Sequence, residues 1–335
     1  MKAFEIQDFG IDNLALVERE TPRPASGQVL VRLTASSLNY RDYMVVKGTY
    51  NPKLKRPMIP LSDGAGVVEE VGSGVARFKK GDRVAGIFFQ KWLDGPPTRE
   101  KFQSALGGGI DGAAREYMVL HEDGLVAVPD SLSDVEAATL PCAAVTAWHA
   151  LFEHTPPHPG EAVLIQGTGG VSMFALLFAR AAGLRAIVTS SSEDKLARAR
   201  ELGADETINY KTNPDWEKEA LRLTGGAGVD NVVEVGGSDT LGKSIRAARP
   251  GGAISVIGVL SGGAPTVSPL QILTNSARVQ GIYVGSRAMF ERMNRAILFH
   301  KIEPVIDRTF PWTELKEALR YMESQQHFGK ICLQF

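Results

Sequence analysis

The stretch VLIQGTGGVSMFALLFARAAG, residues 163–183, constrains the fold more than any other part of this chain. An apolar run leads straight into Gly167-Thr168-Gly169-Gly170-Val171-Ser172, and an apolar helical pattern follows. Strand, tight glycine turn and helix, in that order, open a dinucleotide-binding unit. Gly167 permits the turn, and Gly169 lets backbone N–H groups approach a pyrophosphate. The N-terminus of the helix that follows then turns its positive end to the anion. Ser172 stands where the G-x-G-x-x-G pattern has its third glycine, which predicts slightly looser packing of helix on strand.

The surroundings support that start. Between residues 161 and 260 the apolar strands EAVLIQG, RAIVTSS, DETINY, GVDNVVEVG and GAISVIG alternate with helical segments such as 172–183 and 193–204. Such alternation predicts an α/β fold with a doubly wound parallel sheet. The first third reads differently. Val-rich runs at 27–36, 63–75 and 78–89, broken by Gly, Asp and Lys, predict antiparallel β structure. Residues 90–114 carry Pro-Pro and Gly-Gly-Gly without a period and predict a long surface loop. A helix is expected over 133–154, with Ser133 and Asp134 as candidate caps. The tail predicts a strand at VQGIYVGS, helices near 287–299 and 313–325, and a closing strand GKICLQF. A length of 335 residues favours two domains. These are placed at 124–265 for the dinucleotide-binding domain, and at 1–123 with 266–335 for a β-rich catalytic domain.

Composition narrows the function classes. The 37 basic and 38 acidic residues give a net charge of −1, which offers no basic face for nucleic acid or an anionic membrane. No run approaches the length of a membrane span, and the opening MKAFEIQDFG lacks a signal-peptide core. Two cysteines, Cys142 and Cys332, imply no disulfide framework and fit a reducing cytoplasm.

The second strand of the alternating region ends IVTSSSEDK, residues 187–195. A site for NAD places a carboxylate there, to bond the ribose 2′-hydroxyl. Here stand Ser190, Ser191 and Ser192, followed by Lys195. Hydroxyls and a cation suit a 2′-phosphate, so NADPH is the expected cofactor; the competing role for the serines is to cap the next helix.

Several segments together resemble the medium-chain dehydrogenase/reductase family over essentially the whole chain. They are ASSLNYRD (35–42), PLSDGAGVVEEVG (60–72), FKKGDRV (78–84), LPCAAVTAWHAL (140–151), VLIQGTGGVS (163–172) and HFGKICLQ (327–334). The resemblance implies a GroES-like catalytic domain beside a Rossmann domain. It also places Asn39, Thr146, Tyr210, Gly258, Val259, Tyr283, Gly329 and Lys330 against the cofactor. A homodimer is implied too, through the strands at 252–260 and 278–286.

The family's zinc alcohol dehydrogenases carry a cysteine where this chain has Asn39, and a His-Glu pair where it has Ser62-Asp63. Of their ligands Cys142 survives, and the four cysteines of their structural zinc lobe are missing. The chain is similar instead to the zinc-independent quinone oxidoreductases and enoyl reductases. That implies hydride transfer from NADPH to a quinone or an activated double bond.

Asn39 and Tyr40 fall where the resemblance puts the nicotinamide and substrate pocket, and the Asn39 amide offers donors for a ribose or a substrate carbonyl. Tyr50 matches the proton donor of the enoyl reductases, with a role as pocket wall as the competing reading. Arg41 and Asp42 read as a structural ion pair. Cys142, in an Ala/Val run, reads as an inert core thiol, and His154 and His158 as solvated loop residues. Two other classes compete with the reductase: a zinc alcohol dehydrogenase with unusual ligands, and a non-catalytic dinucleotide-binding protein.

Overall fold

Six strands of the central region form one parallel sheet in the computed structural model, which describes residues 1–258 and 267–335. They are β1 (Ala162–Gln166), β2 (Arg185–Ser190), β3 (Glu206–Asn209), β4 (Val229–Glu234), β5 (Ala248–Val256) and β6 (Arg278–Gly281). Their order across the sheet is β3-β2-β1-β4-β5-β6, with every pairing parallel. That order reverses between β1 and β4, as in a Rossmann fold. β1 is buried along its whole length, because helices cover a parallel sheet and leave no wet face. Helix α1 (Gly170–Ala181) packs on β1 and β2 and buries Met173, Phe174, Leu176 and Phe178. Helix α2 (Glu193–Glu201) follows β2 and packs against β2 and β3. Strand β5 starts earlier than GAISVIG suggests, because Ala248 already pairs with Val229.

The second sheet is mostly antiparallel and is organised by the eleven-residue strand Gln28–Leu38. Asp63–Val71, Tyr117–His121 and Lys330–Gln334 all pair with it antiparallel. The last of these comes from the far end of the chain and sets Ile331 opposite Leu38. Lys330 is thereby carried to the turn at Asn39. The core of this unit joins Ile6, Val31, Leu33, Leu61 and Val84 to Leu315, Leu319 and Leu333.

The two units are Met1–Val145 with Val284–Phe335, and Thr146–Tyr283. Both boundaries fall some twenty residues later than 123/124 and 265/266. Leu125–Ala127 pairs with Arg83–Gly86, and Asp134 accepts from Thr34 Oγ1 at 2.7 Å and Arg83 Nε at 2.8 Å, which holds 124–145 in the β-rich unit. Strand β6 pairs with β5 from Ala253↔Arg278 to Val256↔Gly281 and stays with the parallel sheet.

Two local expectations are corrected. Residues 90–114 are not a free surface loop: Trp92, Ala105 and Leu106 are buried, and 99–103 form a short helix. Phe89, Trp92 and Phe102 pack ring on ring at 5.2–5.9 Å, so aromatic burial outweighs the glycines. The run 133–154 is three segments and not one helix: Asp134–Ala137, a π-helical turn Leu140–Ala144, and Val145–Phe152. Pro141, which has no N–H to donate, sits in the middle piece. Ser133 caps the first as expected, its Oγ accepting from the Glu136 N–H. Among the described residues no helix is long and apolar enough to cross a membrane.

Candidate active site

In the Rossmann unit the glycine turn has the geometry an anion needs. Gly167 adopts φ +70°, a conformation that favours glycine. Gly169 is the N-cap of α1 and no side chain caps the helix there. A Cβ at Gly169 would meet nothing within 4 Å, so the space before the helix is open. Gly170 and Val171 supply the first N–H groups of a 12-residue helix, unpaired by geometry. Ser172 explains the lost third glycine: its buried Oγ donates to Gln166 O at 2.7 Å and ties the helix to the end of β1. These residues fit a dinucleotide pyrophosphate.

The serine run divides its roles. Ser192 caps α2, accepting from the Lys195 N–H at 3.4 Å, so the capping role expected as the alternative is real for this residue. Ser190 ends β2 and is nearly buried, its Oγ accepting from the Ser192 N–H at 3.4 Å. Ser191 and Lys195 are partly exposed beside it. Tyr210 is 42% exposed, and its N–H donates to Ser190 O at 3.1 Å. Ser190, Ser191, Lys195 and Tyr210 therefore gather at the C-terminal ends of β2 and β3, where an adenosine ribose binds in this fold. Thr146 is buried and Tyr283 is about one-third exposed at the two ends of this unit. Gly258 is required by space, since a Cβ would lie 2.0 Å from Val235 O. Val259 lies outside the described residues.

Sequence reasoning missed Glu234, the last residue of β4. It is fully buried. Its carboxylate accepts from the N–H groups of Gly236 at 2.8 Å and Gly237 at 2.9 Å and from Thr240 Oγ1 at 2.6 Å. It also accepts from Gln166 Nε2 at 2.8 Å and from Ser244 Oγ. Glu234 thus joins the ends of β1 and β4 at the point where strand order reverses. The signal was present in EVGGS, a carboxylate at a strand end followed by two glycines.

In the β-rich unit, Asn39 begins the helix Tyr40–Val46, and its N–H donates to Asp42 Oδ2 at 2.9 Å. Its carboxamide is fully engaged. Nδ2 donates to Asp63 Oδ2 at 2.9 Å and Ser62 Oγ at 3.3 Å, while Oδ1 accepts from Lys330 Nζ at 2.7 Å. This corrects the expectation that Asn39 offers amide donors to a ribose or substrate: both N–H bonds already point inward. Lys330 is turned inward likewise. Its buried Nζ donates to Leu38 O at 2.8 Å and Asn39 Oδ1 and lies 3.5 Å from Asp63 Oδ2, so the ammonium is engaged in the protein interior. Gly329 at φ +82° admits the chain to this position, and a Cβ there would lie 2.4 Å from Val305 O.

Asp63 is completely buried and accepts from Ser37 Oγ at 2.8 Å. Burial pushes its carboxyl up to about 6, with Asp42 adding to the rise and Lys330, Asn39 and Ser37 opposing it. The Cys142 thiol is pushed well above its usual range by burial and then by Asp63, which suits an inert thiol. The Tyr40 ring tilts on Tyr43 at 5.5 Å. Tyr50 is partly exposed, with Arg41 Cζ 5.1 Å above its ring. His154 Nε2 lies 3.0 Å from Nε2 of the buried His149, a partner the sequence did not suggest.

The family models for an alcohol dehydrogenase GroES-like domain and a zinc-binding dehydrogenase match residues 25–130 and 170–298. A zinc-type alcohol dehydrogenase-like protein of Schizosaccharomyces pombe is 49% identical over 332 residues, covering 97% of this chain and 96% of its own. A 2-haloacrylate reductase of Burkholderia is 30% identical over 346 residues, covering 97% and 96%. The crystal structure of a putative alcohol dehydrogenase from Sinorhizobium meliloti superposes with a TM-score of 0.92 at 42% identity, covering 100% and 98%. The chain belongs to the medium-chain dehydrogenase/reductase family and is an oxidoreductase of that family, with a GroES-like domain and a nucleotide-binding domain.

Zinc, which two of those descriptions carry, does not fit the residues present. A catalytic zinc needs three donors such as thiolate, imidazole or carboxylate. Here a carboxamide and a hydroxyl stand at Asn39 and Ser62, and the Lys330 ammonium lies against Asp63. A cation bonded into the ligand set repels a second one.

Proposed function

We propose that the protein is a zinc-free reductase that uses NADPH to reduce a quinone or an α,β-unsaturated carbonyl compound. The observation that carries this reading is the Lys330–Asn39–Asp63 network, two hydrogen bonds through the Asn39 amide and a buried ion pair at 3.5 Å, at the place zinc relatives use for metal. The 2-haloacrylate reductase among the relatives supports an activated double bond as the acceptor. When bound, the dinucleotide supplies the hydride.

The chain does the rest. The open N-terminus of α1 binds the pyrophosphate, and Ser191, Lys195 and Tyr210 receive the 2′-phosphate with the end of β2 at Ser190. Asn39, held at both ends of its amide, fixes the turn that carries Tyr40 and the helix leading to Tyr50. The Tyr50 hydroxyl holds the proton that completes reduction. A homodimer paired through the exposed strand β6 belongs to the same reading, as does a cytoplasmic site, where the buried thiols of Cys142 and Cys332 stay reduced.

A panel of quinones, enones, enoyl thioesters, ketones and alcohols, followed by the change in NADPH absorbance, tests the assignment. Turnover should appear with the quinones or the conjugated acceptors. Turnover confined to ketones and alcohols would refute it. In the same assay Tyr50→Phe should lower kcat by at most about 10²-fold, because solvent can deliver the proton once hydride has moved. Unchanged kcat would make Tyr50 a wall of the pocket.

A further inference from the structure

We propose that Arg41 is the positioning residue for Tyr50 and for the 106–108 turn that borders it. The inference rests on the reading that Tyr50 serves the reduction.

Arg41 is the second residue of the helix Tyr40–Val46, and its side chain is 10% exposed. Its guanidinium lies between two rings, with Cζ 5.1 Å from the centre of Tyr50 and 5.1 Å from that of Phe88. Its edge is also occupied. Nη1 donates to Leu106 O at 2.9 Å and Gly107 O at 3.3 Å, and lies 3.2 Å from Asp42 Oδ1. One cation therefore stands over the Tyr50 ring with Cζ and holds the turn through Nη1.

The turn is built to admit it. A Cβ at Gly108 would stand 2.3 Å from Arg41 Nη2. Gly107 has φ +61°, and a Cβ there would lie 2.6–2.7 Å from the Leu61 backbone. The chain passes between Arg41 and Leu61 with no room for side chains. The root of Arg41 is fixed by Asp42, which is fully buried and accepts from the Asn39 N–H, and from the Ser62 N–H and hydroxyl at 3.1 Å each. The Asn39 network and Tyr50 are thus linked through adjacent residues, 41 and 42.

A structural ion pair with Asp42 would need only a positive charge at 41. Positioning of Tyr50 needs one side chain to stand over the ring and reach the Leu106 and Gly107 carbonyls together, a span a single ammonium does not cover. Arg41→Lys separates the two roles. Gly108→Ala displaces the guanidinium without altering it, and decides the question if Arg41→Lys fails to fold. Each variant is measured alone and with Tyr50→Phe, using NADPH and cyclohexenone, alongside chymotrypsin cleavage after Tyr50. We expect kcat to fall about tenfold with KM for NADPH unchanged, and no further fall when Tyr50→Phe is already present. Cleavage after Tyr50 should quicken about tenfold while Tm stays within a few degrees of wild type. Losses that multiply with Tyr50→Phe, or cleavage at the wild-type rate, would overturn the role of Arg41. Failure of the wild type to reduce any acceptor would instead refute the reductase reading, and the cleavage rate would still decide whether Arg41 positions Tyr50.

Discussion

Lys330→Met should destabilise the protein by about 3–5 kcal/mol, the range for breaking a buried charge pair by removing one partner. Methionine preserves much of the stem but none of the three interactions of Nζ, with Leu38 O, Asn39 Oδ1 and Asp63 Oδ2. Asp63 would be left fully buried without its cation, with Oδ1 already lacking a hydrogen-bond partner. The loss should depend on pH. Burial raises the Asp63 carboxyl from 3.8 to about 6, so the native state holds this proton more tightly than the unfolded chain. Its contribution to stability is therefore fullest below the unfolded value and declines as pH rises towards 6. Lys330 opposes the rise, so its removal pushes the carboxyl higher and carries the decline to higher pH. Urea unfolding at pH 5 and pH 8 should show the larger loss at pH 8. Equal losses would reduce Lys330 to packing.

Ser190→Asp should reverse the cofactor preference. In the wild type, kcat/KM with NADPH should exceed that with NADH by at least about tenfold, because one charged contact to the 2′-phosphate is worth about 1.5–3 kcal/mol. The advantage should shrink as salt screens the phosphate. An aspartate at the end of β2, beside Ser191 and the Tyr210 backbone, would repel that phosphate and accept from the ribose hydroxyl of NADH. Kinetics with both cofactors, in wild type and variant, check this directly. An NADH preference in the wild type would leave the whole serine run to helix capping, the role Ser192 already has.

The Rossmann half was legible because its signals are local. Buried parallel strands read as apolar runs, and a glycine at φ +70° sits where the turn demands it. The β-rich half was less legible. The burial of Trp92 and Leu106 depends on neighbours such as Phe89 and Phe88, which a run of glycines and prolines hides. The candidate site divides the same way. Position 39 was found, but the engagement of its amide was not, because the partner Lys330 arrives from 291 residues away on a strand that pairs with Gln28–Leu38. Glu234 was passed over because a carboxylate ending an apolar strand gains its meaning from donors on β1, the following turn and the helix Leu241–Ala247. The Arg41–Asp42 ion pair, 3.2 Å apart, is legible from adjacent residues; the placement of Arg41 over Tyr50 comes from a loop whose path carries no periodic signal.

The proposed hydride transfer takes place at a site held together by hydrogen bonds and the Lys330 ammonium, without zinc. Its most direct test is the rate of NADPH-dependent reduction of an enone or quinone before and after dialysis against a chelator, with metal content measured on the same samples. The expected result is far less than one zinc per chain and an unchanged rate. One zinc per chain, with turnover lost to the chelator and restored by zinc, would contradict it.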